Sequence, residues 1–155
     1  MQETIIIGAD HLGLPLKTTI VSFLREKGLK VEDIGVDTED AVDYPDIAHM
    51  LAKRIASGEF SRGILICGTG AGMAIAANKV PGVRAVSVTD PYTAERAIAS
   101  NNAQIITLGA LVVGDSLAKM LVSIWLTNQF QGGGSARKVQ KIDEIDAGYH
   151  ARAPQ

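Results

Sequence analysis

The chain has 155 residues, 46% of them hydrophobic, and a formal net charge of −2. That length and apolar content suit one domain with a buried core, residues 1–155, and exclude a disordered chain, while the near-balanced charge argues against a general nucleic-acid binder, which shows a basic face. A single cysteine, Cys67, excludes an internal disulfide framework and suits a reducing, cytoplasmic setting; no run reads as a signal peptide or is long enough to span a bilayer.

Short β-rich runs alternate with helical patterns along the chain. Residues 4–10, TIIIGAD, read as a buried strand ending in a turn. Pro15 sits where a first helical turn tolerates it, and Ile20, Val21, Phe23 and Leu24 supply the apolar face of a helix reaching Lys27-Gly28. Residues 30–36 form a weaker strand, and a helix follows from about 46 to 57, after Tyr44-Pro45. Residues 63–67, GILIC, are apolar throughout, as a strand covered on both faces should be. A glycine loop, Gly68-Thr69-Gly70-Ala71-Gly72, leads into a small-residue helix over MAIAANK, 73–79. Residues 84–89 are a fourth strand. Asp90 then caps a helix with Pro91 at its first position. Residues 104–109 are a fifth strand, and 114–130 a helix with Leu117, Met120, Leu121, Ile124 and Trp125 on its apolar face. A glycine-rich linker and a charged helix from about 136 precede a polar tail that includes His150.

Strand–helix alternation of this kind predicts an α/β fold, a parallel sheet with helices on both faces. Ligands of such sheets bind at the carboxyl ends of the strands. That rule gathers Asp10-His11, Cys67 with its glycines, Thr89-Asp90 and the loop after Gly109.

Each feature has a plain reading beside a chemical one. The glycine loop presents backbone N–H groups that suit a phosphate or an oxyanion, but its G-x-G-x-G spacing after the third strand is a poor dinucleotide fingerprint. Cys67 is a small buried hydrophobe, or a thiolate favoured by the helix start and able to act as nucleophile or general base. Asp10 and His11 form a turn with a surface histidine, or a pair that grips hydroxyls and phosphate or moves protons. Asn101-Asn102 read as a helix C-cap, Tyr44-Pro45 as a turn. Arg137 and Lys138 open the last helix, where cations oppose the dipole; they line a solvated face or hold an anion. His49 lies on an amphipathic helix.

Taken in order, "GADHLG" with Lys17, "VDYPDIA", "GILICGTGAGMAIAANKVPGVRA", "DPYTA", "NNAQIITLG", "VVG" and "LAKM" resemble the ribose-5-phosphate isomerase B family, which also includes galactose-6-phosphate isomerase subunits. The resemblance runs from residue 5 to about 142. It implies a Rossmann-like three-layer α/β/α sandwich with a five-stranded parallel sheet, no metal or organic cofactor, and a homodimer, in some members paired into a tetramer, whose active sites are shared between subunits. It implies aldose–ketose interconversion of a sugar phosphate, D-ribose 5-phosphate and D-ribulose 5-phosphate, through a cis-enediolate. Cys67 matches the base (some members carry a glutamate elsewhere in this loop), and Gly68, Thr69, Gly70, Ala71 and Gly72 match the enediolate-binding loop. Asp10 and Tyr44 match residues that contact substrate hydroxyls and assist ring opening, His11 a phosphate-side ligand, and Asn101 a residue that reaches the reacting end across the dimer interface.

The chain also departs from that pattern. Ser100 stands where the family commonly has a ring-opening histidine, and a serine hydroxyl cannot titrate near neutrality. Leu111 replaces an arginine, and Gly134 and Ser135 replace an arginine and a histidine, leaving His11, Arg137 and Lys138 for the phosphate. These changes keep two alternatives open: an isomerase of another sugar phosphate or rare sugar (a tetrulose phosphate, a hexose 6-phosphate, allose), or a non-catalytic sugar-phosphate-binding subunit.

Overall fold

A computed structural model describes residues 3–151; the end of the tail lies outside them. Five strands and six helices are present among these residues: β1 (Thr4–Ala9), α1 (Leu14–Glu26), β2 (Lys30–Asp33), α2 (Tyr44–Ala56), β3 (Arg62–Cys67), α3 (Ala71–Ala77), β4 (Ala85–Ser87), α4 (Pro91–Ala99), β5 (Ile105–Gly109), α5 (Asp115–Thr127) and α6 (Gly134–His150). The strands form one all-parallel sheet in the order β2-β1-β3-β5-β4. None of the described helices is long and apolar enough to cross a membrane.

The apolar runs of β1, β3 and β5 follow from burial on both faces, because side chains alternate along a strand. Ile5, Ile7, Ala9, Ile64, Ile66, Ile106 and Leu108 point to one face and pack against α1, α4 and α5. Ile6, Leu65, Cys67 and Ile105 point to the other and pack against α2 and α3. Cys67 therefore shares a face with α2 and the glycine loop. Helices on both faces give the expected three layers.

Several boundaries moved. β2 ends at Asp33, although segment 34–36 still bonds to β1 through Ile34 N–H to Ile7 O and Val36 N–H to Ala9 O. β4 is three residues long, and α3 begins two residues earlier than its apolar pattern suggested. Tyr44 and Pro45 are not a turn before α2; they form its first turn, since Pro needs no N–H partner there. On α5 the buried face is Ala118, Leu121, Val122 and Trp125, and Met120 is exposed. His150 is not in a tail but ends α6, with Nε2 3.1 Å from Asp146. The helix after Asp90 formed as read: Asp90 accepts Thr93 N–H at 2.8 Å and Pro91 opens the first turn.

Candidate active site

The strand order places a topological switch between β1 and β3: the chain leaves β1 toward β2 on one side and leaves β3 toward β4 and β5 on the other. A crevice forms at the carboxyl ends of such a strand pair. Ala9 pairs with Ile66, and Asp10 N–H donates to Ile66 O at 3.1 Å, so Asp10 and Cys67 leave the sheet side by side.

The turn after β1 is pressed against β3. Gly13 N–H donates to the buried Asp10 Oδ1 at 2.9 Å, and a Cβ at Gly13 would lie 2.4 Å from Ile66 O, so no other residue fits there. His11 Nδ1 accepts Val42 N–H at 3.2 Å. A neutral His11 held this way carries its proton on Nε2.

The glycine loop is built on the ends of β3 and β5. Gly70 N–H donates to Cys67 Sγ at 3.1 Å, giving the buried sulfur a donor within its own turn. Gly70 has φ +80°, and a Cβ there would lie 2.9 Å from the Leu108 backbone. Left-handed geometry and the lack of space both require glycine. The Gly70 carbonyl accepts Ala74 N–H, the first bond of α3, at 3.1 Å and the hydroxyl of fully buried Thr107 at 2.7 Å. A trans peptide places its N–H opposite its C=O. Pulling this carbonyl inward therefore turns Ala71 N–H outward, toward exposed Thr69, whose Oγ1 accepts it at 3.3 Å. Thr107 was missed in the sequence; the one signal was a hydroxyl inside an otherwise apolar, doubly covered strand.

Tyr44 lies over Gly72 so closely that a Cβ there would come within 2.6 Å of its ring. Leu12 and Leu111, both exposed, flank Gly68 and form an apolar lip, and Leu111 N–H donates to Gly68 O at 2.9 Å. Asp90, at the same edge, is held below the usual carboxylate range by hydrogen bonds from the Thr93 hydroxyl and backbone N–H. Those bonds make it a helix cap.

The remaining expected residues lie elsewhere in the chain. α4 runs back from the carboxyl edge, so Ser100 and Asn101 end up at the amino edge, a strand's length (about 16 Å) from Cys67. There Asn102 O accepts Arg84 Nε at 3.0 Å, and Ser100 Oγ accepts from Arg96 at 3.2 Å. Asn102 has φ +49°, the left-handed cap expected of the asparagine pair. α6 lies along this edge: Gln131 N–H donates to Ala99 O before it, and Asp143 pairs with Arg84 at 2.7 Å. Arg137 and Lys138, both exposed on α6, have no ion-pair partner among the described residues. One chain thus brings together Asp10, His11, Tyr44, Cys67 and the glycine loop, and leaves Ser100 and Asn101 at the opposite edge and Arg137 and Lys138 on α6, away from Cys67 in the fold.

Comparison with known proteins agrees with this fold. The Ribose/Galactose Isomerase family profile matches residues 5–142. The D-erythrulose-4-phosphate isomerase of Pectobacterium atrosepticum is 53% identical over 140 residues, 90% of this chain and 92% of the relative. Ribose-5-P isomerase B of Listeria innocua is 49% identical over 142 residues, 92% and 96% of the two chains. The solved structure of Clostridium thermocellum ribose-5-phosphate isomerase B superposes with a TM-score of 0.92 at 48% identity, covering 94% of this chain and 99% of that one. With motifs in order, the sheet topology shared and nearly the whole length aligned, the chain belongs to the ribose/galactose isomerase family.

Proposed function

We propose that the protein interconverts D-ribose 5-phosphate and D-ribulose 5-phosphate through a cis-enediolate, with Cys67 as general base. The observation that carries this reading is the single turn holding the Cys67 sulfur, its Gly70 N–H donor and an outward-facing Ala71 N–H beside Asp10 and His11. The Cys67 thiolate takes the proton from C2 of the open-chain aldose, and the C1 carbonyl oxygen gains charge as the enediolate forms. Outward N–H groups of the loop and the Thr69 hydroxyl stabilise that charge. The proton of the C2 hydroxyl passes to the C1 oxygen, and the thiol returns its proton to C1, leaving a hydroxyl at C1 and the carbonyl at C2. His11, carrying its proton on Nε2, is a donor for the phosphate. A base made of the one cysteine also needs a reducing compartment, which fits the cytoplasm.

The second half of the site comes, in this reading, from another copy of the chain. Ser100 and Asn101 lie at the amino edge, along which α6 with Arg137 and Lys138 is held by Asp143, and a homodimer that sets this edge over its partner's carboxyl edge supplies them in trans.

The substrate test is kcat/KM over a panel of ribose 5-phosphate, erythrose 4-phosphate and hexose 6-phosphates. Ribose 5-phosphate turnover by the purified single chain is the expected result, and its absence with every sugar would point to a non-catalytic binding subunit. A second reading, a tetrose 4-phosphate, is favoured by Ser100. Ribose 5-phosphate closes a furanose through O4, whereas O4 of a tetrose 4-phosphate is esterified and no ring-opening group is needed. The name of the P. atrosepticum relative points the same way. Dominant erythrose 4-phosphate turnover with negligible ribose 5-phosphate turnover would assign that substrate instead. Ser100→His should then raise kcat/KM for ribose 5-phosphate alone.

Thr107→Val removes one buried hydroxyl and keeps the shape. It is expected to lower kcat about tenfold, equivalent to roughly 1.4 kcal/mol, with KM within about twofold. Steady-state kinetics beside a thermal melt checks this; an unchanged kcat would remove Thr107 from the anion-binding geometry.

A further inference from the structure

Three polar or charged side chains are buried among the described residues: Asp10, Thr107 and Lys17. Asp10 and Thr107 belong to the site. Lys17 lies on the core-facing side of α1 beside Leu16 and is 1% exposed. Its Nζ meets Asp33 Oδ1, at the end of β2, at 2.5 Å. The same oxygen accepts Gly35 N–H at 2.9 Å. Gly35 O in turn accepts Ala9 N–H at 2.9 Å, and Val36 N–H donates to Ala9 O at 3.1 Å. Ala9 immediately precedes Asp10 and His11. From Val36 the chain runs on to Val42, whose N–H holds His11 Nδ1, and to Tyr44 over Gly72.

Lys17 is buried but Asp33 is exposed, and an ion pair open to solvent on one side is a weak source of stability, which an apolar contact commonly matches. An apolar pair could close α1 onto β2. It could not accept Gly35 N–H, and so could not set the direction in which segment 34–36 leaves the sheet. We propose that Lys17 is a positioning residue: with Asp33 it locks segment 34–36 onto the end of β1, and so fixes the Asp10–His11 turn and the tautomer of His11. Lys17 touches no reacting atom and acts only through these links. The kinetic half of this proposal rests on the isomerase reading above; the tautomer half does not.

The test compares Lys17→Met, Lys17→Arg and the unaltered chain. The sequence has three histidines, so the His11 ring signals are assigned in a ¹⁵N spectrum by their loss in His11→Gln. In the unaltered protein neutral His11 should show an unprotonated Nδ1 and a protonated Nε2. Lys17→Met should give a mixture of tautomers and raise KM about tenfold with kcat within about threefold, the pattern of a displaced binding group. Lys17→Arg should restore the single tautomer and most of the KM. A folded Lys17→Met protein with the original tautomer and KM would overturn the proposal, leaving Lys17 a packing residue. Should Lys17→Met fail to fold, Asp33→Asn is read the same way, because it keeps an acceptor for Gly35 N–H and removes the charge that Lys17 grips. A mixed tautomer in a chain that isomerises no sugar phosphate would uphold the positioning and defeat the isomerase reading.

Discussion

Cys67→Ala is expected to lower kcat by about 10²–10⁴-fold, the usual contribution of a positioned proton-transfer group, while the protein remains folded. The two effects separate because only one sulfur is removed. Cys67 is 4% exposed and packs with Leu65, Met73 and Ile105, so its loss costs on the order of 1 kcal/mol of packing, too little to unfold a domain of this size. Cys67→Ser is the sharper variant. It keeps the volume and an atom to accept Gly70 N–H, but a serine hydroxyl does not ionise near neutrality, so activity should fall nearly as far. Steady-state turnover of ribose 5-phosphate and erythrose 4-phosphate, beside a thermal melt, measures both. A near-normal kcat in either variant, on whichever sugar proves to be the substrate, would move the base elsewhere.

Asn101→Ala is expected to be almost as damaging, although Asn101 is about a strand's length from Cys67 in its own chain. If it serves the partner's site, two inactive chains should rescue each other. Cys67→Ala and Asn101→Ala proteins, unfolded together and refolded at equal concentration, should recover about a quarter of the unaltered activity. Half of randomly paired dimers are then mixed, and each mixed dimer holds one intact site of two. Recovery of none, from chains that each refold and dimerise, would confine the active site to a single chain.

Much of the fold is legible in the sequence. The apolar runs TIIIGA and GILIC could only be strands covered twice, and Pro15 and Asp90-Pro91 marked helix starts through the missing N–H of proline and the acceptor of aspartate. Local chemistry dictates such features, so local sequence reports them. The boundary misses have a common cause. Tyr44, in the first turn of α2, sets its ring over Gly72 across the layer, and Asp33, at the end of β2, turns its carboxylate to Lys17; both are contacts between distant segments. Met120 was placed inside by helical spacing, but the face of α5 toward the sheet is centred on Ala118, Leu121 and Trp125. Spacing reports which residues share a face and leaves its exact centre to packing.

The same division runs through the site. By itself the sequence determined that Asp10-His11 and Cys67 end strands and that the loop after Cys67 is free to present N–H groups, because residue type and strand ends are local properties. Only the tertiary structure decided that β1 and β3 are neighbours, so that these two strand ends share one crevice; that Thr107 turns the Gly70 carbonyl inward; and that α4 carries Ser100 and Asn101 to the far edge. Strand order, peptide orientation and helix direction arise from the packing of segments far apart in the chain, and no short stretch of sequence contains them.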